Sequence, residues 1–195
     1  METVLALVGF SILSAGTPGP NNVLLWASGA TFGLRATVPH VVGTAIGLGA
    51  MALGSAAGLA ALIAGAPALG VAMKLLGSVY LLVLAWRIGH AGDLERGVVA
   101  APLSVGRAAA FQLVNPKAWI FALGAVTTFR PAELGPLAGS LLVAGVMVAV
   151  ILPVATAWAA AGGTLSRLLT TGRGRRVGPP LMGILVAATI ALAWI

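Results

Sequence analysis

The chain has 195 residues, 59% of them hydrophobic and only 8% charged, with a mean hydropathy of +1.07. Soluble domains carry roughly 25% charged residues, so the composition excludes an ordinary soluble fold and predicts an all-α polytopic membrane protein. The net charge of +7 sits in the gaps between apolar runs, which predicts topogenic charge and contact with the lipid bilayer, and no nucleic-acid partner.

With no cysteine in the chain, disulfides and thiolate metal sites are excluded. The sequence has no G-x-x-x-x-G-K-[ST] phosphate loop. It also has no nucleophile–base pair and no cluster of metal ligands. The chain is therefore expected to be no enzyme and to need no cofactor and no metal.

Six apolar segments are predicted in chain order: Thr3 to Ala30, Val38 to Ala64 (beginning near Pro39), Pro67 to Ile88, Ala108 to Phe129, Leu134 to Ala161 and Val177 to Ile195. Most approach or exceed the ~20 residues a helix needs to cross a bilayer. The fourth is interrupted, so counts of five or seven stay open. Glu2 and the lack of a basic leader predict that the first segment is kept as a membrane helix. Residues 1–90 are read as a first three-helix repeat, 91–106 as a cytoplasmic connecting loop holding Asp93, Glu95 and Arg96, and 107–195 as a second repeat. Together they make one transmembrane domain. Eight of the eleven basic residues (Arg35, Arg87, Arg96, Arg107, Arg167, Arg173, Arg175 and Arg176) fall at three gaps on one side. The positive-inside rule then places those gaps in the cytoplasm and both termini outside.

The first segment carries Thr17-Pro18-Gly19-Pro20-Asn21-Asn22 in its middle. Two prolines remove backbone donors and clash with the preceding turn, so no helix runs through unbroken. At membrane depth, broken helix is tolerated only beside protein or a water-filled cavity. The second segment is rich in small residues, with Gly43/Gly47 and Gly54/Gly58 as small-xxx-small pairs. These predict close helix packing, or a sliding face in a moving helix. The fourth segment repeats the break at Gln112-Leu113-Val114-Asn115-Pro116-Lys117. Each break lies in the first helix of a three-helix half. An odd number of crossings gives the halves opposite orientations, and broken helices at corresponding positions of inverted repeats point to a transporter site at the midplane.

The backbone N–H groups opening each following half-helix lack intrahelical partners and sit at its positive end, which suits a carboxylate. Lys117 adds a cation that must face a cavity or a partner. Asn21, Asn22 and Asn115 offer amide donors and acceptors for an amine or hydroxyl. Gln112 either lines the cavity or bridges helices. Lys74 either snorkels to the interface or meets substrate, the former being preferred. His40 and His90 are placed near membrane edges, and neither is expected to relay protons. The tryptophans are read as packing or interfacial anchors, and Thr44, Ser78 and Thr156 as hydrogen bonders between helices. All four acidic residues, Glu2, Asp93, Glu95 and Glu133, lie at ends or in gaps. No carboxylate is left to relay protons at mid-membrane.

With those motifs in place, the chain resembles the LysE/RhtB family of bacterial amino-acid exporters nearly end to end. Pro18, Gly19, Pro20 and Asn21 match its early motif, Asn115, Pro116 and Lys117 its mid-chain motif, and the run from Met73 to Leu82 its third helix. The resemblance implies a secondary transporter of the bacterial cytoplasmic (inner) membrane that exports an amino acid or close analogue, coupled to the proton-motive force through a carrier the sequence does not name. The site set is then Thr17, Pro18, Gly19, Pro20, Asn21, Asn22, Gln112, Asn115, Pro116 and Lys117. Without a mid-membrane carboxylate to meet a cationic side chain, a neutral amino acid is expected. A passive small-solute channel and a non-transporting structural protein remain the alternatives, and the glycine faces permit a homodimer.

Overall fold

A computed structural model describes residues 2–56, 67–89 and 101–169, together with Gly58, Gly65 and isolated positions between 177 and 191. The expected connecting loop around Asp93, Glu95 and Arg96, and the basic gap with Arg173, Arg175 and Arg176, lie outside the described residues. All regular structure among the described residues is helical: α1 (Glu2–Gly16), α2 (Pro20–Ala56), α3 (Pro67–Gly89), α4 (Val105–Val114), α5 (Pro116–Phe129), a 3-10 turn (Ala132–Leu134) and α6 (Gly135–Leu169).

α2 is two helices. Gly33 adopts φ 80, ψ 164 inside it, a backbone region essentially reserved for glycine. There the chain turns back on itself. Residues 20–32 (α2a) pack antiparallel to residues 34–56 (α2b): the Ser28 and Thr37 hydroxyls meet at 2.9 Å and Asn21 meets Thr44 at 3.1 Å. The second helix thus starts four residues before the expected Val38. Pro39 lies inside it rather than at its head, a placement membrane helices tolerate because neighbours re-satisfy the freed backbone.

Among the described residues, two stretches are long and apolar enough to cross a membrane, Pro20–Ser55, which the Gly33 turn divides, and Ala132–Thr164. At ~1.5 Å per residue, the 35 residues of α6 outreach a bilayer core of ~30 Å. Only 33% of its apolar window is buried. Leu137 and Leu141 point outward, as do Leu76 and Val79 of α3. Apolar faces left uncovered on long helices suit lipid, not water.

The core forms where α2b, α5 and α6 meet, around Ala45, Met51, Phe121, Ala125, Val143, Met147 and Ile151. Val186, from the last predicted segment, packs with Val23, Leu24, Leu81, Ala85 and Phe111. Contacts also give the chain path. Phe10 of α1 sits 5.7 Å from Phe121 and 5.3 Å from Phe129, ring centre to ring centre, so the outer ends of α1 and α5 share one end of the bundle. At the other end, a Cβ on Gly29 would strike the Ala159 carbonyl, and one on Gly162 the Trp26 carbonyl, so α2a and the end of α6 touch backbone to backbone. Gly43 lies as close to the Val105 carbonyl of α4, and a Cβ on Gly47 would come within 2.8 Å of the Ala109 carbonyl. The predicted Gly43/Gly47 pair therefore is a packing face. Gly58 meets nothing within 4 Å.

Candidate functional site

At the first break, α1 ends at Gly16 and α2a begins at Pro20. A helix ending at membrane depth leaves carbonyls that need donors. The Leu13 carbonyl accepts from Thr17 N (3.0 Å) and that of Ser14 from the Thr17 hydroxyl (3.1 Å). Asn22 Nδ2 spends both hydrogens here, on the Ala15 (2.7 Å) and Thr17 (2.8 Å) carbonyls. Lys117 Nζ arrives from α5 and donates to the carbonyls of Thr17 (2.6 Å) and Pro18 (3.4 Å). A cation at a helix C-terminus complements its dipole. The lysine stem lies over Gly19, where a Cβ would come within 2.8 Å of Lys117 Cδ.

Proline opens both half-helices, Pro20 in α2a and Pro116 in α5, at the position where a missing N–H costs nothing. Beyond that the breaks diverge. Asn115 is extended (φ −92, ψ 106) and caps α5, its side chain accepting from Lys117 N (3.2 Å). Its carbonyl takes the N–H groups of Ala118 (2.9 Å) and Trp119 (3.4 Å). The Trp119 indole reaches back to the Leu113 carbonyl (2.8 Å). Every N–H opening α5 is thus spent on its own cap, so the expected carboxylate seat at that N-terminus is filled in this conformation. In α2a the first amide to find an acceptor is Val23 N, on the Gly19 carbonyl (2.9 Å). Among the described residues, the Asn21 and Asn22 N–H groups have none.

A buried amide chain links the breaks. Gln112 Nε2 donates to Asn21 Oδ1 (2.9 Å) and to the Ala108 carbonyl (3.2 Å), while Gln112 Oε1 accepts from Asn115 Nδ2 (3.3 Å). Thr44, whose hydroxyl also reaches the His40 carbonyl (2.9 Å), lies 3.1 Å from Asn21 Oδ1. His40 Nε2 stands 3.3 Å from the same oxygen. Asn21, Thr44, Gln112 and Asn115 line a partly open cavity, about 40 Å³ of it enclosed, walled by Leu48, Phe121, Ile151 and Val154.

Of the ten residues expected from the sequence, Gly19, Asn21, Asn22, Gln112, Asn115 and Lys117 line this cavity. Thr17 and Pro18 act through carbonyls that hold Lys117, and Pro20 and Pro116 through the helix starts they permit. Gln112 does both things its position allowed, lining the cavity and bridging helices. Thr44 bonds between helices as expected, whereas Thr156 bonds back to Leu152 of its own helix (2.7 Å). Lys74 falls within α3, and its side chain lies outside the described residues. His40, expected at a membrane edge, is 1% exposed and deep in the bundle. The hidden signal was Gly33: a hairpin there puts residues whose numbers sum to about 65 opposite each other, bringing His40 and Thr44 to Asn21.

The sequence model of one protein family, described as LysE type translocator, matches residues 12–193. The chain is similar to the cysteine/O-acetylserine efflux protein of Escherichia coli (strain K12), with 31% identity over 120 residues that make up 62% of each chain. The protein of that name from Shigella flexneri matches equally, and that of Escherichia coli O6:K15:H31 at 30% over the same share. The match thus spans 62% of the length of these curated relatives. No solved structure matches the chain.

Proposed function

The chain belongs to the LysE type translocator family, and from that premise we propose that it is a secondary transporter exporting a small neutral amino acid across the bacterial inner membrane. The observation that carries this reading is the cavity at the crossing of the two breaks. It pairs free N–H groups of Asn21 and Asn22 and the Lys117 ammonium with an apolar wall of Leu48, Phe121 and Ile151. The N–H groups and the ammonium suit an α-carboxylate. Lys117 has three donors and spends two on carbonyls. Asn22 Oδ1, turned away from its amide bonds, is an acceptor for the α-ammonium. The wall suits an uncharged side chain.

Both described carboxylates lie far from this place, Glu2 in the first turn of α1 and Glu133 in the 3-10 turn. A lysine or arginine side chain would therefore enter without a counter-charge. The relatives' names, cysteine and O-acetylserine efflux, are those of neutral cargo.

Six crossings arranged as two inverted halves complete the proposal. Both halves present a broken helix, a turn at a positive-φ glycine (Gly33, Gly135) and then a long helix. With the basic gaps in the cytoplasm, the glycine-packed end faces inward, and this conformation is closed to the cytoplasm with its cavity on the exit side.

Counterflow in proteoliposomes tests the reading. Labelled cysteine, O-acetylserine, threonine and lysine are offered against an unlabelled pool on the other side. Exchange of neutral amino acids and not of lysine is the expected outcome. If no amino acid exchanges, the exporter reading is abandoned, and exchange of lysine alone removes the neutral preference.

A further inference from the structure

We propose that His40 is the proton-carrying residue of the transport cycle, an inference that rests on the export reading above. Its position is unusual for a residue with no part in lining the cavity. It is 1% exposed, and its Nε2 lies 3.3 Å from Oδ1 of Asn21, a residue that does line it.

The amides fix the ring's protonation. Gln112 Nε2 donates to the Ala108 carbonyl, so that amide cannot be reversed without setting oxygen against oxygen. Its second hydrogen then makes Asn21 Oδ1 an acceptor, 2.9 Å away. A carboxamide oxygen only accepts, so His40 Nε2 carries the hydrogen. In the neutral ring the lone pair is then on Nδ1. That atom is buried and has no partner among the described residues.

Holding Asn21 in place needs a single N–H. The second ring nitrogen plays no part in that bond, and burying it unsatisfied is a cost native interiors avoid. What the imidazole adds is a site for a proton.

The surroundings keep that site empty here. α2a carries no titratable side chain, α4 carries Arg107, α5 Lys117, and α2b itself Arg35. α6 has no titratable residue before Arg167. No carboxylate among the described residues stands near to balance an imidazolium. A proton therefore reaches Nδ1 only in another arrangement, one in which the glycine-packed contacts of α2b with α4 part and admit water. One proton is taken from water onto the Nδ1 lone pair on one side and returned to water on the other. Because loading requires the structural change, proton movement is tied to it.

The test is His40→Gln in proteoliposomes, with the variant first shown monodisperse by size-exclusion chromatography. Glutamine can keep the bond to Asn21 and cannot carry a proton. Counterflow at equal pH needs no net proton movement and is expected to persist. Substrate accumulation driven by an imposed pH gradient is expected to be lost, and a trapped pH dye should cease to report proton return. Gradient-driven accumulation at the parent rate overturns the proposal. Loss of counterflow together with accumulation also overturns it, assigning the ring to holding Asn21. If the parent protein exchanges no amino acid, the export reading fails first and takes this one with it.

Discussion

The two helix breaks begin alike and end differently. Each starts its second half-helix on a proline, yet Asn115 closes the α5 start with its own side chain and carbonyl, whereas Gly19 brings no side chain to α2a. The first break therefore borrows its partners. Asn22 folds back over the end of α1 and Lys117 crosses from the other break, 100 residues away in sequence. Its Asn21 and Asn22 N–H groups are left without an acceptor among the described residues. A break that satisfies itself is scaffold, and one that depends on another helix can come apart and re-form. On the exporter reading, the first break meets the substrate and the second holds the lysine that serves it.

The largest effect is expected from Asn21→Leu. One oxygen, Asn21 Oδ1, gathers Gln112, Thr44 and His40. Removing it leaves the second Gln112 Nε2 hydrogen and the His40 N–H unmatched, each at about 1–3 kcal/mol, while Thr44 keeps the His40 carbonyl. Counterflow should vanish and the melting temperature should fall. A variant that still exchanges substrate would show that the junction of the breaks is not the site.

Lys117→Met comes next. It keeps the length of the stem over Gly19 and removes the charge. A hydrogen bond to a charged group contributes about 1.5–3 kcal/mol, so the apparent affinity should weaken by roughly 10- to 150-fold, with Lys117→Arg between parent and Met. An unchanged concentration dependence of counterflow would reduce this lysine to a cap for α1.

Much of this was legible in the chain. Proline disfavours the helix interior, and Pro18-Gly19-Pro20 and Asn115-Pro116 pointed to both breaks, although Pro39 and Pro153 are carried inside helices. The charge deficit announced the solvent. What was not legible depends on register. No spacing rule pairs Thr17 with Lys117 or Asn21 with Gln112. The Gly33 turn sits in Ala-Thr-Phe-Gly-Leu-Arg, with no proline or asparagine to mark it. Missing that turn displaced the start of α2b and left His40 at the edge. Nor could the sequence tell which asparagine would cap and which would link. Asn21 and Asn115 both neighbour a proline, and only the fold shows that Asn115 spends its side-chain oxygen on capping α5 and its amide on Gln112.

That difference gives Asn115→Ala a diagnostic value. Loss of a side-chain cap costs about 1 kcal/mol, and Gln112 would lose the donor to its Oε1. The melting temperature should drop by several degrees while substrate affinity changes far less than in Lys117→Met. If affinity falls as much as stability, the second break reads substrate as well, and the division between the breaks fails.

The smallest effect belongs to Trp119→Phe. The indole N–H closes the gap that the second break opens, donating to the Leu113 carbonyl across 2.8 Å. In an unbroken helix that carbonyl would bond Lys117 N, which here turns to Asn115 instead. Phenylalanine keeps most of the packing and removes only the donor. Single hydrogen bonds between groups in membrane proteins average about 0.6 kcal/mol, so the expected result is a melting temperature lower by a degree or two with counterflow kept. A self-satisfied break tolerates losing one of its several bonds. Were Trp119→Phe instead to abolish exchange at near-parent stability, the α5 start would have to move during transport, and the break taken here as scaffold would be the working one.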